Sequence, residues 1–353
     1  MTATVDSVRS RVDDALAEFM RERIYREKPL WGDAIAALIS EYVTKGGKRL
    51  RPELCYWGWR AAGGSDTDSI IKAAASLELF HAFCLAHDDV MDNSDTRRGK
   101  PSLHRSLEKT HRDMGWSGNP TAFGRHMAIL AGDLLMSWSD QMFQESGVGA
   151  RWIHAARPLL AQMRSEVVAG QQLDLRIQHR TAPTLRDALR VIEYKTARYT
   201  VQRPLQIGAK LTGDASPGLM AGLASYGVPL GEAFQLRDDV LGVFGDPSIT
   251  GKPVIDDIRD GKQTALIIIA RELAGNDERE VLDRWYGNPK ITQHSAKQVR
   301  QVITSTGALE AVENMIGDLV ADSLAALEQT AAVHPDAKQE LAGLVDRLTR
   351  RDA

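Results

Sequence analysis

Along most of the chain, apolar positions recur every three or four residues, the spacing of helices that bury one face. The pattern predicts helices over 5–27, 32–43, 52–62, 69–91, 126–145, 157–179 and 219–241, then 264–273, 295–305 and 309–330. The first of these is rich in charge and is expected on the outside of a bundle. Pro52 sits where a helix can begin, and Thr184 with Asp187 reads as a capping box opening a helix that runs through YKTARYT. The Gly-, Asn- and Pro-containing stretch 112–124 reads as a loop. No segment alternates convincingly at the period of a strand, no repeat of about 20–50 residues is present, and no Gly/Ser/Pro linker divides the chain. The expectation is an all-α chain, one domain across 1–353, folded as a large helical bundle with a central active-site cavity.

One predicted helix carries chemistry at its end. Leu77, His81, Cys84, Asp88 and Asp92 follow one another at steps of three and four, so they share a face that is apolar first and anionic last. Asp88 and Asp92 project side by side, with Asp89 a quarter-turn away. Acids at a helix C-terminus oppose the macrodipole, so three together call for a cation. All-oxygen ligands suit a hard ion, and magnesium takes one or two carboxylates alongside phosphate oxygens. Arg97 and Arg98 follow in TRRGKP, and forked guanidinium groups suit phosphate. Together these residues suggest a metal-bridged diphosphate with an apolar tail.

Other segments fit the same ligand. Upstream, KGGKRLRPEL sets Lys48, Arg49 and Arg51 beside a flexible glycine pair, a plausible anion site. The acid pair recurs at Asp238 and Asp239, three residues after Gln235. Asp133 is a candidate for an inward acid, and Gln171 and Asp174 in GQQLDL lie one turn apart among apolar residues. Lys195 and Thr196 sit among apolar and small residues, where a buried ammonium needs an anion. Lys252 in TGKP and Lys262 in DGKQ belong to a predicted loop.

Composition narrows the partners. The 353 residues are 43% hydrophobic and 26% charged, which is globular, and the net charge of −3 excludes nucleic acid as the default partner. Two cysteines without metal-type spacing fit a reduced, cytoplasmic setting. The N-terminal stretch lacks the apolar core of a signal peptide, and the longest apolar run, 265–270, is too short to span a bilayer, so no transmembrane segment is expected.

GGKRLRP, the stretch from ELFHAFCLAHDDVMDN through TRRGKPSLH, GQQLDL, YKT and FQLRDDVLGVFGDP with its following GKP together resemble the trans-polyprenyl diphosphate synthases, in matching order. The resemblance implies an isoprenoid-synthase fold and a prenyl transfer. An allylic diphosphate ionises with magnesium, isopentenyl diphosphate attacks the cation head-to-tail, and a proton leaves; the implied acceptor is the released diphosphate, so no dedicated side-chain base is needed. It also implies roles. Asp88, Asp92 and Asp238 would bind magnesium, three ions per site, with Asp89 and Asp239 in support. Arg97, Lys195 and Lys252 would contact the allylic diphosphate, and Lys48, Arg51, His81 and Arg98 the isopentenyl diphosphate. Thr196 and Gln235 would present oxygens to the developing cation, and Lys262 would help close a loop. A homodimer is implied as well. Many members have a third aspartate in the second motif, where this chain has Gly242.

The resemblance also bears on product length. Bulky groups upstream of Asp88 act as the floor of the elongation tunnel, each position deepening it by about 1.5 Å. Phe83, Cys84 and Phe80 lie five, four and eight positions before Asp88, resembling enzymes that make twenty-carbon geranylgeranyl diphosphate. On an ideal wheel Cys84 lies nearer the aspartate face than Phe83, so the role of Phe83 rests on the resemblance. The alternatives are a farnesyl diphosphate synthase and a catalytically silent partner subunit. Two rivals come from other classes. A terpene cyclase would not need a second diphosphate site, and a di-iron bundle would use Glu78-x-x-His81 and Glu108-x-x-His111.

Overall fold

The structure is a computed structural model describing residues 5–245, 255–331 and 333–350. Helices dominate it, and the described residues form two compact units. The first runs to Ala156 and includes Gly208–Gly213; the second comprises Arg157–Ile207 and the chain from Asp214 onward.

The first unit contains α1 (Val5–Trp31), α2 (Asp33–Thr44), α3 (Leu50–Ala61), α4 (Asp68–Met91), α5 (Leu103–Asp113) and α6 (Pro120–Gln144). Its centre is α4, lined by Ala73, Ala74, Leu77 and Phe80, with α6 packed along it through Ala128, Ala131 and Leu135. Small residues let these helices approach closely. A Cβ on Gly132 of α6 would lie 2.4 Å from Nε2 of His87. The charged α1 is amphipathic: Val8, Val12, Leu16 and Met20 form a fully buried stripe at four-residue steps, while Arg9, Asp14, Glu18 and Glu22 stay exposed, as a helix that covers a bundle requires. Helix α6 starts at Pro120, earlier than expected: the Asn119 side chain accepts from the amides of Thr121 and Ala122, and Pro120 needs no donor at the first position.

Strands are also present, contrary to the helical pattern. Thr96–Arg97 (β1) pairs antiparallel with Lys100–Pro101 (β2), Arg97 opposite Lys100. The turn residues Arg98 and Gly99 have φ of 56° and 71°, as a tight type I′ hairpin requires.

The second unit is built around α10 (Pro217–Phe244), with α8 (Leu185–Val191) and later helices including Ala265–Leu273 and Ala308–Gln329. Thr184 and Asp187 form the expected capping box. The run 265–270 is buried on every side in a cluster with Leu236, Val240, Val299 and Ile303, which accounts for its continuous hydrophobicity. Beyond α8 the chain widens into a π-helix, Ile192–Gln202, that carries Lys195 and Thr196. Three glycines give it room. A Cβ on Gly170 of α7 (Ala150–Gln178) would meet the Lys195 amide nitrogen at 2.4 Å, one on Gly231 would meet the Ala197 Cα at 2.4 Å, and one on Gly227 the Gln202 Cα at 2.9 Å.

Two glycines make opposite predictions. Gly208 lies in α9 (Arg203–Leu211), where a Cβ would fall 1.8 Å from the Cys55 carbonyl oxygen, an atom fixed in α3. Gly208→Ala gains about 1 kcal/mol of helix propensity but overpacks at a cost of about 3 kcal/mol, so a net loss is expected. Gly317, in the helix Ala308–Gln329, has nothing within 4 Å of its would-be Cβ, so Gly317→Ala should stabilise by about 1 kcal/mol. Urea unfolding of the two variants checks both signs.

Candidate active site

The acid end of α4 is shaped by its last turn. Asp92 caps the helix, its amide donating to the Asp88 carbonyl at 2.8 Å. Asp88 is half-buried, Asp92 exposed, and Asp89 fully buried. The hairpin turns Arg97 back onto this end. Its Nε donates to Asp89 Oδ1 at 2.9 Å, its Nη2 also reaches that oxygen, and Asp88 Oδ2 lies 3.6 Å away. Burial works against the charge on Arg97, but the bond and field of Asp89 outweigh it and hold the guanidinium charged. Asp89 is thus committed to Arg97, Asp88 stands at the edge of the same guanidinium, and Asp92 is exposed.

Nearly three turns back, Glu78 organises the basic residues. It is 3% exposed and accepts from Arg49 Nη1 at 2.8 Å, with Arg98 Nη2 at 3.5 Å. Arg49 is itself buried, donating to Asp13 at 2.7 Å and to the carbonyls of Val43 and Thr44. The glycine pair closes the arrangement. Gly46 and Gly47 have φ of 80° and 98°, and a Cβ on Gly47 would lie 2.8 Å from Arg98 Nη2 and 3.1 Å from Glu78 Oε1. The glycines of GGKRLRP are therefore seats for Arg98 as well as turn residues. Lys48 is exposed and Arg51 half-buried. His81, one turn beyond Glu78, keeps a pKa well below the ordinary range, through burial first and then the charges of Arg51, Arg98, Arg97 and Arg49.

Phe80 is buried, whereas Phe83 and Cys84 are half-buried. The Phe83 ring lies 5.2 Å from that of Phe80 and 4.7 Å from the His87 ring, continuing one stripe down α4. Asp133 is not an inward acid: its side chain is 55% exposed and lies 3.6 Å from His87.

In the second unit, two segments expected to act separately are joined. Lys195 Nζ donates to Asp174 Oδ2 at 2.5 Å, so GQQLDL supplies the anion the lysine needs. Thr196 Oγ1 donates to Gln235 Oε1 at 2.7 Å, and Gln235 Nε2 donates to Asp239 Oδ1 at 2.9 Å. Burial, with help from Asp238 and Asp257 and against the Gln235 bond, pushes the Asp239 carboxyl up to about 7. Asp238 is exposed. Lys262 donates to Asp257 Oδ1 at 2.8 Å and its carbonyl accepts from the Tyr286 hydroxyl at 2.5 Å. Lys252 lies outside the described residues.

Sequence reasoning missed Arg49 and Glu78 as anchors, and it missed Tyr42 and Asp257. Burial and then the Asp89 charge raise the Tyr42 pKa far above the ordinary range, so its hydroxyl stays protonated beside Arg97 and Arg98. Only GGKRLRP carried a signal, because its arginine beside two glycines stood out.

The acids suit magnesium. Asp88, Asp92 and Asp238 have accessible carboxylates, and magnesium needs few protein ligands when phosphate and water supply the rest. Among the described residues no three His, Cys, Asp or Glu side chains form a ready-made cage. Glu108 and His111 are buried, but Glu108 is committed to Arg105, Arg112 and Thr121, and Glu78 to arginines, so neither Glu-x-x-His pair is arranged as a di-iron ligand set. Helix α4 is long and apolar enough to cross a membrane, yet 67% of its most apolar window is buried and it carries Glu78 and His81, as a core helix can. Burial pushes the Cys55 thiol up to about 12, making it a poor nucleophile.

The depressed pKa of His81 sets a pH dependence. As pH falls through about 6.5 the unfolded chain takes up a proton at this histidine and the folded chain does not. Stability present at pH 7 is therefore lost progressively toward acid. His81→Gln should lose less stability than the parent between about pH 7 and 5, read from urea unfolding across that range.

Comparisons with known proteins now place the chain. A sequence profile described as polyprenyl synthetase matches residues 33–303. Geranylfarnesyl diphosphate synthase of Aeropyrum pernix is 32% identical over 90% of this chain and 95% of its own. The (2E,6E)-farnesyl diphosphate synthase of Mycobacterium tuberculosis is 36% identical over 62% of this chain and 55% of its own. The crystal structure of a Corynebacterium glutamicum geranylgeranyl pyrophosphate synthase, complexed with isoprenyl diphosphate and magnesium, aligns with a TM-score of 0.94 at 37% identity, covering 99% of this chain and all of the other. The motifs, the helical fold and these matches agree: the chain belongs to the polyprenyl synthetase family and is a transferase of the polyprenyl diphosphate synthase type.

Proposed function

We propose that this enzyme condenses isopentenyl diphosphate with an allylic diphosphate and releases geranylgeranyl diphosphate as its main product. The observation that carries the reading is the convergence of Arg97 and Arg98, turned by one hairpin onto Asp89 and Glu78, at the acid end of the helix that carries Asp88. Forked guanidinium groups beside acids that suit magnesium are what a metal-bridged diphosphate requires. Asp88, Asp92 and Asp238 would hold magnesium, three ions per active site, which when bound would supply positive charge to a departing diphosphate. Lys195, kept in place by Asp174, contributes charge to that group together with Lys252. Lys48, Arg51, His81 and Arg98 bind isopentenyl diphosphate, with Arg98 seated by Gly47 and Glu78. The oxygens of Thr196 and Gln235, linked to each other, face the developing allylic cation. Released diphosphate takes the proton.

The twenty-carbon product is supported by the stripe of Phe80, Phe83 and His87 below Asp88. Of the two phenylalanines, Phe83 is the one left half-buried, so it is the better stop. Relatives named for fifteen-carbon and twenty-five-carbon products bracket this assignment. The two compact units act as one catalytic domain in a cytoplasmic homodimer. Ile129, Leu130 and Met136, exposed on α6, give a second copy an apolar surface.

Purified protein with magnesium, labelled isopentenyl diphosphate and starters of five, ten and fifteen carbons should yield a linear twenty-carbon diphosphate. Absence of elongation with every starter refutes the reading. Asp88→Ala should lower turnover by at least about 10²–10³-fold, and near-normal turnover removes it from metal binding. Phe83→Ala should shift the product to longer chains. An unchanged product at full activity takes Phe83 out of the floor.

A further inference from the structure

The second acid motif departs from many family members at Gly242, four residues after Asp238 and therefore on the same side of α10. The place a side chain would take there is filled. A Cβ on Gly242 would lie 2.0 Å from Asp257 Oδ2 and 3.1 Å from Asp257 Cγ. Asp257 comes from the helix Ile255–Asp260, so its carboxylate enters the motif from another element. It is not a loosely placed chain end. Lys262 binds its other oxygen at 2.8 Å, and the Lys262 carbonyl is tied to the Tyr286 hydroxyl. The backbone behind it is fixed too. Gly287 donates to the Ile258 carbonyl at 2.8 Å, and Gly261, at φ 68°, has no room for a Cβ, which would meet the Gly287 Cα at 2.8 Å.

We propose that Asp257 supplies the third carboxylate of the second acid motif, in the volume that Gly242 leaves open, and acts as a positioning residue for Lys262. The proposal rests on the diphosphate chemistry above. Two features make it specific. Glycine at 242 is required sterically by Asp257, so the residues form a reciprocal pair. The pairing with Lys262 also gives Asp257 a charge-dependent job, which an acid placed on α10 would take over only if Asp257 made way for it.

Four variants test this: Gly242→Asp, Asp257→Ala, the double Gly242→Asp/Asp257→Ala, and Asp257→Asn. Melting temperatures of the apoproteins read the steric part, and calorimetric titration with inorganic diphosphate and magnesium reads the charge part. Gly242→Asp should melt several degrees below the parent, and the double variant should recover most of that loss. Should Gly242→Asp fail to fold, Gly242→Ala with and without Asp257→Ala gives the same cycle. Asp257→Asn, which keeps the shape of the side chain, should melt closer to the parent than Gly242→Asp does but bind magnesium diphosphate about tenfold more weakly, the scale seen for groups that orient metal ligands. The double variant should bind within a few-fold of the parent. Additive losses in the double variant overturn the reciprocal pairing. Parent-like magnesium diphosphate binding by Asp257→Asn overturns the positioning role. A parent protein that binds magnesium diphosphate yet transfers no prenyl group overturns only the reaction, and a parent that binds none overturns the positioning role as well, while the apoprotein cycle still decides the pairing.

Discussion

A single buried carboxylate holds the basic side of the first unit together. Glu78 sits on the central helix with 3% of its surface exposed, and an unpaired charge there would cost several kcal/mol. Arg49 supplies the full hydrogen bond and Arg98 a longer contact. Arg49 in turn fixes the end of α2 through two carbonyls and α1 through Asp13. One acid thereby ties three helices and the hairpin tip to α4. The glycine pair is the steric half of the same arrangement, since a side chain at Gly47 would collide with both Arg98 and Glu78.

The basic residues of this region are held by acids on the central helix. Glu78 and Asp89 anchor Arg49 and Arg97, and His81 keeps a low pKa through burial first and then through the arginines around it. Adjacent residues Arg97 and Arg98 divide the work because the hairpin sends one to Asp89 and the other to Glu78.

The second unit solves a related problem with hydrogen bonds in series. A π-helix displaces the register of its side chains by opening the turn, a costly geometry found most often at functional sites. Here glycines on α7 and α10 accommodate its backbone, and its polar side chains are taken up by Asp174 and Gln235. The chain Thr196, Gln235, Asp239 fixes the orientation of the amide, so Gln235 cannot turn without losing a bond at each end.

The sequence by itself determined the helical class, the capping box at Thr184, the acid-ended helix and the family, because each depends on local period, residue chemistry or motif order. It did not reveal the buried stripe of α1, since the many charged residues of that helix masked it. The two-residue strands were too short to produce a period, and their turn depended on left-handed φ at Arg98, which residue type does not announce. Tertiary structure alone decided which acids hold Arg49 and Arg97, which acid holds Lys195, and what occupies the space beside Gly242. Those outcomes are distances between residues far apart in the chain. Pairing, burial and steric exclusion at such separations are set by how helices pack, and no local pattern encodes them.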